Sequence, residues 1–361
     1  MPPIRCVTCV VLLPITALVA QTPSTLVVPA AYTTNDANSH EWMGGAATNY
    51  RQQTLIGASH LTALVGRTLT AIELRRTVKK IAFQGGRANM TVTMSTSPNT
   101  PLTSSPTFAA NAGAPAVQVF TGAVTLPTSP PVTGTTVAWS ANNVVRIDLQ
   151  TPFLYLGGTI CLDILGQPVV GLNADWWLAD ATYEDIQGTV TDLGGGCGIY
   201  GGPNHQWSTV EENSLVPGGQ ARFFAYGTPW GFGLAAFGQK SLVGTPLSMF
   251  GFNSAPGCNL FLNSVDAIMI EMFAPDSDPL MANQGGRADV LIALPGTPSV
   301  LGVTMTTQWL DWMQTATSNA IEWTVAGSLP TLDMAQIEGN PALPYGQLTN
   351  NFAPVLRFEY Q

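Results

Sequence analysis

The chain has 361 residues, of which 45% are hydrophobic and 10% charged, and its formal net charge is -9. An average globular chain carries about 25% charged residues, so Thr, Ser, Asn, Gln and Gly must supply solubility here. The acidic balance excludes nucleic acid and anionic membrane surfaces as partners, because phosphate binding needs a basic stripe that releases counterions.

Residues 1–20 read as a signal peptide. MPPIR is a short positive segment, CVTCVVLLPITALVA is an apolar run, and Ala20 is a small residue before the expected cut. A spanning helix needs roughly 20 apolar residues, and Pro14 interrupts a run already shorter than that. The expectation is an exported protein, extracellular or in the cell envelope, with no transmembrane anchor in the mature chain. Cleavage removes Cys6 and Cys9 and leaves Cys161, Cys197 and Cys258. An odd number allows one disulfide at most. Cys161 lies in the apolar run TICLDIL, whereas Cys197 in GGGCG and Cys258 in APGCN occupy turns, where a bridge forms more easily. The alternative is three free thiols.

Short β-branched runs bounded by Gly, Pro, Asn and Ser recur along the rest of the chain. They predict strands over 68–74, 79–83, 90–95, 117–126, 144–149, 159–165, 221–226, 241–250, 259–262, 288–293, 303–309, 320–325 and 353–360. A small helix is expected at 50–58 or 279–283. In MTVTMST, from Met90, apolar and polar residues alternate as in a sheet with one face on a core. AIMIEMF, from Ala267, is apolar but for Glu271 and is either covered on both faces or a contact edge. The basic cluster Arg75, Arg76, Lys79 and Lys80 reads as a solvated strand face or turn rather than a binding patch. These features give an all-β class: two antiparallel β-sandwich, jelly-roll-like domains in tandem. The Gly- and Pro-rich YGTPWGFG suggests the boundary, giving domains 21–228 and 229–326 and a tail, 327–361, whose last strand packs back on a sheet.

The order YRQQTLIGAS, LTAIELRR, MTVTMSTSP, PTFAANAGAPAVQVFTGAVTL and VRIDLQTPFLYLGGTICLDIL resembles a domain of exported planctomycete proteins of unknown function, over roughly 27–227. Downstream, GTPWG, SAPGCNLFL, LPGTPSVLGVTMTTQWLDW and TSNAIEWTV resemble a companion C-terminal β module. The resemblance implies β-sandwich architecture and an extracytoplasmic location, with no activity to transfer. Its members often bridge a Cys after the GTP turn to the PGC cysteine. Trp230 stands in the first of those places here, so the usual partner of Cys258 is missing.

Catalytic spacing is sparse. His40, His60 and His205 are dispersed, and neither HExxH nor GxSxG occurs. The densest acid–aromatic stretch is NADWWLADATYEDIQG. Asp175, Trp176, Trp177 and Asp180, with the separate Trp207, are the candidate carbohydrate-binding residues, since indoles stack on sugar faces while carboxylates take hydroxyls. Asp175, Asp180, Glu184 and Asp185 are the acids a polysaccharide hydrolase would use. The competing reading puts one of Trp176 and Trp177 in a core. Asp276 and Asp278 in APDSDP offer oxygen ligands for Ca2+, although turn chemistry explains them as well; no other cofactor is expected. Burial is the expectation for most of the nine Trp. In TTQWLDW, strand parity sends Trp309 into a core line and Trp312 to the opposite face, with a strand end or bulge at Asp311. The leading reading is a non-catalytic structural or adhesive component of the cell surface or matrix, with polysaccharide or other surface proteins as partners. A carbohydrate-binding protein and an exported hydrolase are the alternatives.

Overall fold

The computed structural model describes residues 23–43, 48–169, 177–201, 207–275 and 285–361. It is all-β, and every strand pair is antiparallel. Among the described residues the helical segments are a single four-residue α-turn, Phe108–Asn111, and short 3-10 turns. None is long and apolar enough to cross a membrane.

Two sets of sheets form, with separate cores. In the first sandwich one sheet runs Ser24–Val28, Leu356–Tyr360, Arg67–Arg75, Val144–Tyr155. The facing sheet runs Gln347–Asn350, Met334–Gly339, Tyr50–Ile56, Thr159–Pro168, Gly86–Ser97, Val117–Leu126. Met90, Val92 and Met94 point inward by strict alternation and meet Leu69, Ile72, Leu74, Val145 and Ile147 from the other sheet. Leu69 and Ile72 share the core despite their odd spacing, because a bulge lies between Leu69 and Ala71. Each such side chain contributes about 1.5–3 kcal/mol by leaving water. A third sheet, Ser39–Trp42, Leu178–Tyr183, Phe352–Pro354, is joined to the first by bonds from Thr77 N to Leu178 O and from Val355 N to Asp180 O.

The second sandwich lies wholly between residues 189 and 324. One sheet runs Thr189–Gly194, Ala320–Thr324, Thr304–Asp311, Phe232–Gly238, Ala267–Met272. The other runs Ser208–Val210, Gln220–Gly227, Gly286–Ala293, Ala274–Pro275. Between them Phe223 meets Phe237 and Trp323 edge-on, with centroids 5.1 Å apart in both cases. Trp309 is fully buried in the same core. Trp312 is exposed on the far side. Asp311 ends its strand without being an orphan: it accepts from Thr228 N and Oγ1, both at 2.7 Å, and from Met313 N at 3.0 Å.

The domains are nested rather than in tandem. The strand Gln220–Gly227 pairs along its full length with Gly286–Ala293, so a boundary at 228 would cut one sheet in two. The Gly–Pro cluster there is a turn inside the second sandwich. The real crossings, at 184–188 and 327–333, have ordinary loop composition. The tail supplies four strands to the first sandwich, including the internal strand Leu356–Tyr360.

Two further expectations need correction. Residues 50–56 form a strand and not a helix; their polar side chains are held by neighbours, as when Gln53 Nε2 donates to Asp163 and to Phe108 O. Residues 79–83 make only an isolated bridge at Phe83.

Candidate functional site

The DWWLAD stretch does not assemble a site among the described residues. Asp175 and Trp176 lie outside them, as do Asp276 and Asp278 of the suggested Ca2+ loop. Trp177 is fully buried; its Nε1 donates to Pro127 O at 3.2 Å and its ring meets Phe83 edge-on at 5.8 Å. It is a core residue and no sugar platform. Asp180 is sealed against Arg75, both fully buried, and its other oxygen accepts from Ala37 N at 2.9 Å. Burial pushes the Asp180 carboxyl up, while Arg75 and the Ala37 amide pull it down. Glu184 is held by Thr331 N, Thr331 Oγ1 and Leu332 N at 2.7–2.8 Å. Asp185 takes a bond from Tyr183 Oη at 3.4 Å. None of these described acids faces another across a cleft.

The basic cluster is not a solvated face. Arg75 donates to the carbonyls of Tyr32 and Val137, each at 3.0 Å, and so pins the N-terminal segment to the fold. Arg76 is fully buried, donates to five oxygens on 77–81 and 129–130, and stacks over Phe83 at 3.9 Å. A guanidinium has five donors in a fixed fork, which suits such carbonyl cages. Lys80 alone of the four is exposed.

Cys197 and Cys258 are bonded, with Cα atoms 5.0 Å apart, and Cys161 is buried and free. The bridge ties the Thr189–Gly194 arm to the hairpin Lys240–Pro246 and Asn259–Leu262. That hairpin covers Leu310 on the outside of the second sandwich.

Only three of the described Trp, Trp177, Trp309 and Trp323, are buried. Trp207 is half-buried on the outer face of the smaller second-sandwich sheet. It stacks on Tyr226 at 5.9 Å and meets Phe224 edge-on at 5.4 Å, while Arg287 lies 4.1 Å over Phe224. Trp230 and Trp312, which the sequence did not nominate as ligands, are 67% and 52% exposed.

These two sit beside an exposed apolar strand edge. Ala267–Met272 is the terminal strand of its sheet, and all six residues are exposed. Its inner neighbour pairs with it in unbroken register, placing Met272 opposite Phe232 and Ile270 opposite Leu234. Ile268, Ile270, Met272 and Phe232 are each 43–63% exposed, and Trp312 N donates to Phe232 O at 3.0 Å. Proteins usually protect such an edge with Lys, Pro, a bulge or a covering loop. This strand has none of the first three, and Glu271 is its one charge. Of the two readings of AIMIEMF, the edge is the one realised.

No family model, no curated protein and no solved structure matches this chain.

Proposed function

We propose that the protein is an exported, non-catalytic structural or adhesive component of the cell surface or matrix, joined to a second copy of itself through Ala267–Met272. The observation that carries the reading is the apolar edge that the described residues leave exposed. An antiparallel two-fold pairing centred on Ile270 sets Ile268 opposite Met272 and Glu271 opposite Met269. No carboxylate then meets its own copy, and the isologous contact closes as a dimer. Export is supported by the leader-like residues 1–20 and by the Cys197–Cys258 bridge, a bond that persists in oxidising compartments. The planctomycete resemblance points the same way. Sedimentation velocity over a range of concentrations tests the reading. Wild type is expected to self-associate and Ile270→Lys to stay monomeric at unchanged melting temperature; a wild type that is monomeric throughout sinks it.

The aromatic face at Trp207 favours carbohydrate binding as a second reading, since its stacked rings and the Arg287–Asp289 pair offer both stacking and hydroxyl contacts. Retention on insoluble polysaccharide, lost in Trp207→Ala, is the expected result; equal retention of the variant removes this reading.

A further inference from the structure

Three turns meet at one end of the second sandwich, and each carries exposed apolar side chains at its tip. The turn 228–232 holds Trp230 and Phe232, the turn 312–315 holds Trp312 and Met313, and the 3-10 turn Leu247–Phe250 holds Met249 and Phe250. Their exposures run from 52% at Trp312 to 75% at Met249. The turns are tied to one another. Asp311 accepts from Thr228 on the first and from Met313 and Gln314 on the second. Met313 lies against Gly231, where a Cβ would come within 2.9 Å of its Cγ. Phe252, just after the third turn, meets Trp312 edge-on at 5.7 Å, and Thr315 Oγ1 donates to Asn253 O at 2.9 Å. Buried Leu247, whose N–H bonds to Cys258 O, and the Cys197–Cys258 bridge hold that third turn in place.

Charge, backbone and strain together say what this end can meet. In the segments 228–232, 246–253 and 311–315 the one ionisable side chain is Asp311, and it is fully buried beneath its donors. Covering the tips therefore strips no charge of water. The N–H groups of Thr228, Trp230, Gly231, Trp312, Met313 and Gln314 all donate within the fold, to Asp311 or to backbone carbonyls. A tip whose amides are satisfied internally enters apolar surroundings without orphaning a donor, the condition that lipid imposes on any backbone. Trp230 has φ 63, in the left-handed region that suits Gly or Asn and that a bulky residue rarely occupies. Its indole stays largely exposed, so core packing does not offset that strain, and strain of this kind gathers at ligand sites.

We propose that these three turns seat the protein on a neutral, zwitterionic lipid bilayer, entered to headgroup depth. Indoles favour that depth because the ring is apolar and its N–H polar. Met249, Phe250 and Met313 supply the apolar reach beyond it. Each of these side chains is more than half exposed, so the end is a set of projecting tips rather than a groove. A fluid surface conforms to such tips, whereas a folded partner would need a pocket for each. Charge selects the lipid: the net charge of -9, with no Lys or Arg on the three turns, sets anionic headgroups against the protein and leaves zwitterionic ones. The seat does not depend on self-association through Ala267–Met272. Antiparallel edge pairing would point the turns of the two copies in opposite directions, so one copy alone faces a given bilayer.

The test uses the full chain and vesicles of phosphatidylcholine alone. Wild type is expected to sediment with them and to show a blue shift of tryptophan emission that brominated acyl chains quench. Adding phosphatidylserine should not tighten binding. Trp230→Asn removes the indole at a φ that Asn tolerates, so it should melt at or above the wild-type temperature yet bind about tenfold more weakly. Met249→Ser should weaken binding likewise. Leu156→Ser, at a position 74% exposed on the first sandwich, should bind as wild type does, and so should Ile270→Lys. The proposal is overturned if wild type does not sediment with phosphatidylcholine, if binding requires anionic lipid, or if Trp230→Asn and Met249→Ser bind undiminished. Loss of self-association in Trp230→Asn, with no vesicle binding by wild type, would assign this end to a second copy instead.

Discussion

Glu184 and Thr331 clasp each other where the chain leaves and re-enters the first sandwich: Oε1 accepts the Thr331 hydroxyl at 2.7 Å and Oε2 its backbone N–H at 2.8 Å. One carboxylate thereby fixes the spacing of the two strands of chain that carry the inserted domain. Glu184→Ala is expected to cost about 1–2 kcal/mol, less than a buried charged hydrogen bond because the clasp is partly exposed. It should also separate the unfolding of the two sandwiches. Calorimetry reads both effects, and a single unshifted transition would show that the clasp couples nothing.

Arg75 and Asp180 are both fully buried. Removing one partner leaves an uncompensated charge, so Arg75→Met should destabilise by about 3–5 kcal/mol. The double variant Arg75→Met with Asp180→Leu should recover part of that loss, since well-packed apolar side chains often replace a buried pair at little cost. Urea denaturation of the four proteins in the cycle checks the sign of the coupling.

Burial, then the neighbouring Glu338, pushes the Glu41 carboxyl up to about 8, and this makes stability depend on pH in a definite direction. From its ordinary 4.5 up to about 8 the folded chain holds a proton that the unfolded chain has released. Its contribution is therefore complete below about pH 4.5 and is lost as pH rises through about 8. The melting temperature of wild type should fall across that window more steeply than that of Glu41→Gln. Parallel curves would show that Glu41 titrates alike in both states.

The Cys197–Cys258 bridge has a sequence separation of 61. Chain-entropy arguments put the stabilisation from closing such a loop at about 4 kcal/mol. Cys258→Ser should therefore lower the stability of the second sandwich, and reductant should lower wild type to the level of the variant without affecting the variant itself.

A Cβ on Gly227 would lie 2.4 Å from the Phe273 ring. Phe273 is fully buried in the core of the second sandwich and has nowhere to retreat. Gly227→Ala should cost about 1–3 kcal/mol, as overpacked cores do. A variant of native stability would mean that the ring shifts freely.

What could be read in advance follows from where each side chain finds its partner. MTVTMST was readable because its strand has one apolar and one polar face, and the core confirms Met90, Val92 and Met94. YRQQTLI was not, because its inward face carries the polar Tyr50 and Gln52 and its outward Gln53 is buried, Tyr50 and Gln53 being satisfied by distant polar groups, which erases the alternation. DWWLAD drew attention as acids beside indoles, yet Trp177 and Asp180 answer to Phe83 and Arg75, contacts that no local spacing records. Glu41 and Glu338 are separated by most of the chain and meet only because the tail returns to the first sandwich. AIMIEM carried its own signal, since an apolar strand with a lone acid must be either enclosed or awaiting a partner.

The nesting of one sandwich in the other also sets an order of events during synthesis. The inserted domain has all its strands once residue 324 has emerged, whereas the earlier one still lacks Met334–Gly339 and Leu356–Tyr360, strands internal to its two main sheets. The first part of the chain to be made is thus the last able to finish folding, and until then its sheets present raw edges to other chains. Loss of even the final handful of residues would leave the inserted domain whole and its host unable to close.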